Sequence, residues 1–120
     1  MFINLSNHNS CNWYQEQLDA AHIYGEIVDV AFPQVDPKGD TEYYDTLVKQ
    51  NVGKILELDQ HPVVMVQGEF IFTFRIVTRL KALGIKCLAA VTRREAVESV
   101  DSEGRMVKTS IFKFEQFMEY

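Results

Sequence analysis

The chain has 120 residues, of which 47% are hydrophobic and 24% charged, and its formal net charge is −5. These values are typical of one globular domain, so we expect residues 1–120 to fold as a single unit. The negative charge argues against duplex DNA as a partner, because such binding depends on Lys and Arg side chains that neutralise phosphates. The apolar runs are far shorter than the roughly 20 residues that cross a bilayer, and no secretory signal is recognisable. We therefore expect a cytoplasmic protein with no membrane partner.

The first half of the chain predicts two strands that alternate with two helices. Residues 1–5 form a short apolar run of strand type, and the apolar positions over residues 12–24 have helical spacing. A second β-rich run follows over residues 26–32. A long helix is then predicted up to residue 58, with Asp40 in the position of its N-cap.

The second half begins with the same alternation and ends in a hairpin. Residues 63–66 form a continuous apolar run, which is typical of a strand buried on both faces of a parallel sheet. A helix over residues 70–83, a strand over residues 85–91 and a charged turn over residues 92–95 follow. The last two predicted strands have hairpin spacing, with no room for a crossover helix between them: residues 96–100 and 105–114.

This order of elements predicts an α/β fold with a doubly wound, mostly parallel sheet and a C-terminal antiparallel β-hairpin. Right-handed crossovers then give the strand order 2-1-3-4, with the hairpin at one edge. In such a sheet a ligand crevice opens at the carboxyl ends of the first and third strands, where the strand order reverses. A functional site is therefore expected at that edge of the sheet.

Three loops are predicted to meet at this crevice. They carry side chains that suit a small anionic ligand: Ser6, Asn7 and His8 after the first strand; Gln67, Gly68, Glu69, Phe70 and Thr73 after the third; and Thr92, Arg93 and Arg94 after the fourth. Backbone amides at the start of the helix after Gly68 would hold the anion, and arginine would clamp it. Each loop also has a purely structural interpretation. Gly68 would then serve a tight turn, and Glu69 would complement the helix dipole.

No established catalytic motif or metal-ligand spacing is present. Cys11 and Cys87 belong to no Cys/His cluster, and Cys87 is expected in the core. The sequence contains no P-loop, GxGxxG, GxSxG or HExxH pattern. We therefore expect neither a metal ion nor a cofactor.

Several short segments resemble the small stand-alone CRISPR-associated proteins that consist of a single CARF-like Rossmann domain and accompany type III CRISPR systems. The segments are residues 2–8, 24–29 and 68–73, together with Thr92 and Arg94. The resemblance runs nearly from end to end of the chain. It implies a CARF-like version of the predicted fold.

The same resemblance implies that the chain binds a cyclic oligoadenylate, with cyclic tetra-adenylate as the expected ligand. Because the ring has two-fold symmetry, two or more subunits would surround it, so a homo-oligomer is expected. The protein would remove this antiviral signal either by metal-independent ring cleavage or by sequestration. In cleavage, His8 or Ser6 would orient the attacking ribose 2′-OH, and Arg93 or Arg94 would stabilise the charge that develops on the phosphate.

Two other functions remain open on the sequence alone. The same topology supports a flavodoxin-like protein that binds flavin or another mononucleotide. A ligand-free interaction module is favoured if Phe70 or Trp13 fills the crevice. The sequence does not decide between ring cleavage and sequestration.

Overall fold

The computed structural model describes residues 1–120, which form a five-stranded sheet with three α-helices. The elements are β1 (Phe2–Ser6), α1 (Gln15–His22), β2 (Ile27–Ala31), α2 (Thr41–Leu58), β3 (Val63–Gln67), α3 (Phe70–Ala82), β4 (Lys86–Val100) and β5 (Met106–Glu119). One short 3-10 turn, Ser10–Asn12, precedes α1. The predicted α/β class is confirmed. None of the helices combines the length and apolarity needed to cross a bilayer.

The strands are arranged in the order β2-β1-β3-β4-β5, and all pairs except the last are parallel. The mostly parallel sheet with an antiparallel C-terminal hairpin is thus confirmed. β1 and β3 run side by side, from Phe2 opposite Val63 to Ser6 opposite Gln67. Their carboxyl ends therefore meet where the strand order reverses.

Helices cover both faces of the sheet. On one face, Ile3 and Leu5 of β1 pack in the same cluster as Ile55 of α2 and Phe72 of α3. On the other face, Ala21 of α1 packs with buried side chains of three strands, Phe2, Met65 and Leu88. Every residue of β1 is buried because the strand has a neighbour on each side and helices above and below.

The turn from β3 to α3 is tight because a phenyl ring lies against it. The ring of Phe32, which follows β2, meets that of Phe72 edge to face, with 5.2 Å between the centroids. A Cβ atom added at Gly68 would overlap the Phe32 ring. Gly68 is therefore required by core packing at the base of the crevice.

Replacing Gly68 with alanine is expected to lower the free energy of unfolding by about 1–2 kcal/mol, because the Phe32 ring must move within a packed core. Urea unfolding measures the change. Gly53→Ala is the matched control, since an added Cβ there meets nothing within 4 Å and Gly53 lies inside α2. Alanine at position 53 should raise stability by up to about 1 kcal/mol. Equal effects of the two substitutions would contradict the assignment of Gly68 to packing.

The prediction of a charged turn over residues 92–95 is wrong, because β4 continues through these residues to Val100. This segment contains no glycine or proline to end a strand, and it pairs antiparallel with β5, for example Arg94 opposite Phe112. A bulge between Val91 and Thr92 is the only irregularity. β4 and β5 therefore form one long hairpin.

The outer part of this hairpin, residues 92–114, is a two-stranded ribbon that we call the arm. β3 pairs with β4 only as far as Met65 opposite Leu88, so the arm has no third strand. None of its residues is buried. The radius of gyration is 17.0 Å, whereas a compact chain of this length has about 14 Å. The arm thus projects from the body of the protein.

The inner part of β5 belongs to the sheet. It extends beyond the predicted strand end at Phe114 to Glu119, which lies opposite Leu88. The ring of Phe117 packs against Phe2, with 5.1 Å between the centroids. The hairpin is therefore attached to the core at its base, and the part of the arm next to the base lines a groove with Tyr14 and Glu16 at the start of α1.

Cys87 lies in the core, as predicted, and Cys11 is exposed. Burial raises the pKa of the Cys87 thiol to about 11. The thiol is therefore protonated at neutral pH and acts as a small apolar side chain.

Candidate functional site

The candidate site is the edge of the sheet at which β1 and β3 end. Ser6 lies opposite Gln67, so the two loops that follow these residues start side by side. Asn7 and His8 follow β1 and are exposed. Phe70 begins α3 and is 87% exposed. The structure thus brings two of the three predicted loops together.

A buried amide holds the loop that follows β1. Asn4 is only 1% exposed. Its Nδ2 donates to the carbonyl of His8 at 2.8 Å and to Oδ1 of Asp29 at 2.7 Å. Its Oδ1 accepts from the Ser6 hydroxyl at 2.6 Å. Asn4 is not among the predicted site residues, although a single polar residue inside an apolar, buried strand is the signal that could have identified it.

Asp29 joins the same loop to the neighbouring strand β2, where it lies opposite Asn4. The Asp29 carboxylate accepts from the Ser10 amide at 3.0 Å and from the Ser10 hydroxyl at 2.7 Å. Burial by itself raises the pKa of Asp29, but the hydrogen bonds from Ser10 and Asn4 outweigh it and hold that pKa below 3.8. The ionised form of Asp29 is therefore the form that holds the loop.

Asp29→Asn is expected to destabilise the protein by about 0.5–1 kcal/mol at neutral pH, a modest value because solvent screens this partly exposed carboxylate. Since the folded-state pKa lies below 3.8, the stabilisation is complete above that value and is lost as the pH falls through the lower folded-state pKa. The difference between wild type and variant should therefore shrink below pH 3.8. Urea unfolding between pH 7 and pH 3 tests this. Asp19→Asn, on the exposed face of α1, should show no such convergence.

Ser6 and His8 are the two residues predicted to orient a 2′-OH, and their side chains differ in solvent accessibility. Ser6 is buried, and its hydroxyl donates to Asn4 and accepts from the His8 amide at 3.2 Å. The His8 carbonyl also accepts from Trp13 Nε1 at 3.2 Å. These contacts hold the backbone of His8 while its imidazole is exposed. Ser6 is thus a positioning residue, and His8 is the residue whose side chain is accessible.

The first turn of α3 is occupied by a carboxylate of the chain itself. Glu69 is the N-cap, and its side chain accepts from the Ile71 amide at 2.9 Å and from the Phe72 amide at 2.7 Å. These are amides to which the sequence analysis assigned an anionic ligand. The negative charge also complements the helix dipole. Glu69 therefore has the structural role that the sequence analysis left open.

Removing this cap by Glu69→Ala is expected to lower the free energy of unfolding by about 1 kcal/mol, which corresponds to about 4 °C in Tm. The substitution also frees two amides, so inorganic phosphate should raise the Tm of the variant more than that of the wild type. Differential scanning fluorimetry measures both effects. Glu57→Ala, at an exposed position in the last turn of α2, is the control. An unchanged Tm for Glu69→Ala would contradict the capping role.

Gln67 and Thr73 occupy different environments at the base of α3. The Gln67 side chain accepts from the Ala90 amide at 3.0 Å, where β4 separates from β3. Its amide group therefore substitutes for a missing ladder bond. Thr73 is buried, and its hydroxyl is without a hydrogen-bond partner. The Thr73 hydroxyl is therefore shielded from solvent within the first turn of α3.

The third predicted loop, residues 92–94, lies on the arm and not between the other two loops. Arg93 forms an ion pair with Glu115 at 3.0 Å, and Nε of Arg94 donates to the Ser110 hydroxyl at 2.9 Å. Because successive side chains of a strand point to opposite faces, these two guanidinium groups lie on opposite sides of the arm. Within one chain they therefore do not clamp the same anion.

Comparison with known proteins gives a family but no described relative. The chain has no significant match among curated proteins or solved structures. A family model described as "Uncharacterized protein MJ1673 family" matches residues 1–118. Because this match covers nearly the whole chain, including both loops of the candidate site, the protein belongs to the MJ1673 family.

Proposed function

We propose that this protein binds cyclic oligoadenylate, with cyclic tetra-adenylate as its ligand, and acts as a CARF-like domain in type III CRISPR defence. The observation that carries the proposal is the pairing of Ser6 with Gln67. This pairing opens a polar edge at the reversal of strand order, which is where open α/β sheets bind nucleotides. The segments that resemble the CARF-like group include both loops at this edge.

The side chains at this edge suit an adenine base. Phe70 is 87% exposed. Stacking of a base on a solvent-exposed aromatic ring is energetically favourable. Asn7 is exposed on the neighbouring loop, and an asparagine amide can both accept from adenine N6 and donate to N7. We assign base stacking to Phe70 and adenine recognition to Asn7.

The phosphates of the ring lie on the side of the β1 loop in this proposal. Glu69 already occupies the amides at the start of α3, so its carboxylate would repel a phosphate placed there. The exposed His8 imidazole offers a donor instead. Two copies of this shallow edge are needed to enclose a ring with two-fold symmetry.

Cleavage of the ring would proceed through His8. The imidazole accepts the proton of a ribose 2′-OH, and the resulting oxygen attacks the adjoining phosphorus. The bond from phosphorus to the 5′-oxygen breaks, the leaving oxygen takes up a proton, and the product ends in a 2′,3′-cyclic phosphate. If the ring stays intact on prolonged incubation with excess protein, the protein removes the messenger by sequestration.

Titration calorimetry with cyclic tetra-adenylate tests the proposal, with cyclic tri- and hexa-adenylate and the linear tetramer as comparisons. We expect binding of the cyclic tetramer with one ring per two chains. Denaturing gels of radiolabelled ring then separate cleavage from sequestration, and His8→Ala at saturating ring should cleave at least 100-fold more slowly if His8 is the base. Absence of binding to all three rings would overturn the proposal. A flavin absorbance spectrum of the purified protein would favour a mononucleotide-binding protein instead.

A further inference from the structure

The arm exposes an unpaired strand edge together with apolar side chains. Beyond Ala90, one edge of β4 bonds to β5 and the other has no neighbour, because β3 ends at Gln67. Each strand of such a ribbon points half of its backbone groups outwards. Apolar residues of the arm are also largely in solvent, among them Val100 at 64%, Met106 at 67% and Phe112 at 59%. An isolated two-stranded hairpin of this kind is only marginally stable.

We propose that the arm is a dimerisation element, in which β4 pairs antiparallel with β4 of a second copy of this chain around Ala96. Residues that pair across two strands lie on the same face of the sheet. A two-fold axis between two copies of β4 therefore passes midway between one residue and the same residue of the other copy. The two arms then form a four-stranded sheet in the order β5-β4-β4-β5. This sheet removes the free edge from both copies.

Charge complementarity selects the register. With Ala96 facing Ala96, Arg94 of each copy lies opposite Glu98 of the other copy, so two ion pairs form. A centre at Glu95 would place two glutamates opposite each other, and a centre at Val97 would leave Arg94 opposite Val100. Within its own chain Arg94 bonds only to the Ser110 hydroxyl. Glu98 pairs through Oε1 with Lys108 of its own chain at 3.6 Å, so its second carboxylate oxygen is the one that Arg94 of the other copy meets in the Ala96 register.

The same register is continuous with the existing sheet. Nine residues of each β4, Thr92 to Val100, pair with the same segment of the second copy. The second copy's β4 thus pairs with the same edge of β4 as β3 does, beyond the end of β3 at Gln67. The second copy's turn over residues 101–105 then lies next to Gln67. Dimerisation through the arm would therefore place part of one copy at the candidate site of the other.

Charge reversal tests this pairing with the full chain and no ligand. Arg94→Glu and Glu98→Arg should each weaken the dimer at least roughly tenfold, because like charges then face each other twice. An equimolar mixture of the two variants should form a heterodimer, in which both pairs again have opposite charges. Analytical ultracentrifugation measures the mass against the 13.9 kDa of one chain. Glu57→Arg, an exposed reversal on α2, should leave the dimer unchanged.

A disulfide reports the register directly. In a Cys11→Ser background, Ala96→Cys should form a cross-linked dimer on mild oxidation, because directly opposed Cα atoms lie about 4.5–5.5 Å apart. Val97→Cys should not, since in this register each residue 97 faces residue 95 and not its own copy. A wild-type monomer at all concentrations would overturn the proposal. So would a dimer that neither charge reversal weakens, or one that cross-links at position 97 and not at 96.

Discussion

Replacing Asn4 with leucine is expected to lower the free energy of unfolding by about 3 kcal/mol. Asn4 is 1% exposed and serves three groups, the His8 carbonyl, the Asp29 carboxylate and the Ser6 hydroxyl. Leucine has a similar volume, so it preserves packing but removes three hydrogen bonds, each of which contributes about 1 kcal/mol. Urea unfolding at neutral pH measures the loss. Hydrogen exchange should also become faster at the amides of residues 7–10.

Asn51→Leu is the matched control for this substitution. Asn51 is also buried, but its side chain donates only to the Leu47 carbonyl one helical turn earlier. That carbonyl retains its backbone hydrogen bond within α2, so we expect a loss of about 1 kcal/mol or less. A similar loss at both positions would show that Asn4 contributes only as a filled volume. Under the proposed function, Asn4→Leu should weaken ligand binding as well, because it releases the loop of Asn7 and His8.

Phe70→Ala is expected to raise the Kd for cyclic tetra-adenylate by about 10- to 100-fold, the range found when a side chain that stacks on a base is removed. The variant should fold normally, since Phe70 is 87% exposed and contributes little to the core. Titration calorimetry measures the affinity. Phe70→Trp keeps an aromatic face at this position and should preserve binding.

Phe74→Ala separates stacking from a general loss of apolar surface. Phe74 lies one turn further along α3, is also exposed, and faces the groove between α2 and α3 that Ile71 and Arg75 line. It lies one helical turn further from the ends of β1 and β3 than Phe70 does, so the Kd should change much less than for Phe70→Ala. Equal losses for the two alanine variants would argue that the α2–α3 groove, and not the sheet edge, holds the ligand.

Local sequence patterns determined the elements and the topology of the body. The apolar run at residues 63–66 identified the central strand, and Asp40 does cap α2, with its carboxylate accepting from the Tyr43 amide at 2.9 Å. Both signals are local, because hydrophobic periodicity and capping depend on residues within about one turn or strand. Once the order of elements was known, the handedness of crossovers left one simple strand order, and the structure has it. The meeting of Ser6 with Gln67 follows from that order alone.

Only the tertiary structure decided what individual side chains at the site do. The position of Glu69 between a strand and a helix is compatible with two roles: its side chain caps the helix, or the helix amides are left to a ligand. Only the hydrogen bonds from the Ile71 and Phe72 amides to its carboxylate identify it as the cap. Gly68 is required because of Phe32, which lies 36 positions earlier and reaches it only through the packing of β2 and α3. Contacts between residues far apart in the chain leave no periodic signal that a single sequence can show.

In the arm, local composition predicts a turn where the structure has a strand. The charges at residues 92–95 have the composition of a turn, yet the chain remains extended there because each residue has a partner on β5, such as Arg94 opposite Phe112. Cross-strand pairing overrides local composition, since β-structure is stabilised by neighbours on the adjacent strand. The sequence by itself therefore determined the class, the order of the elements and the edge at which a site can form. The fold decided which polar groups remain free at that edge, because hydrogen bonds and packing between distant segments occupy the others.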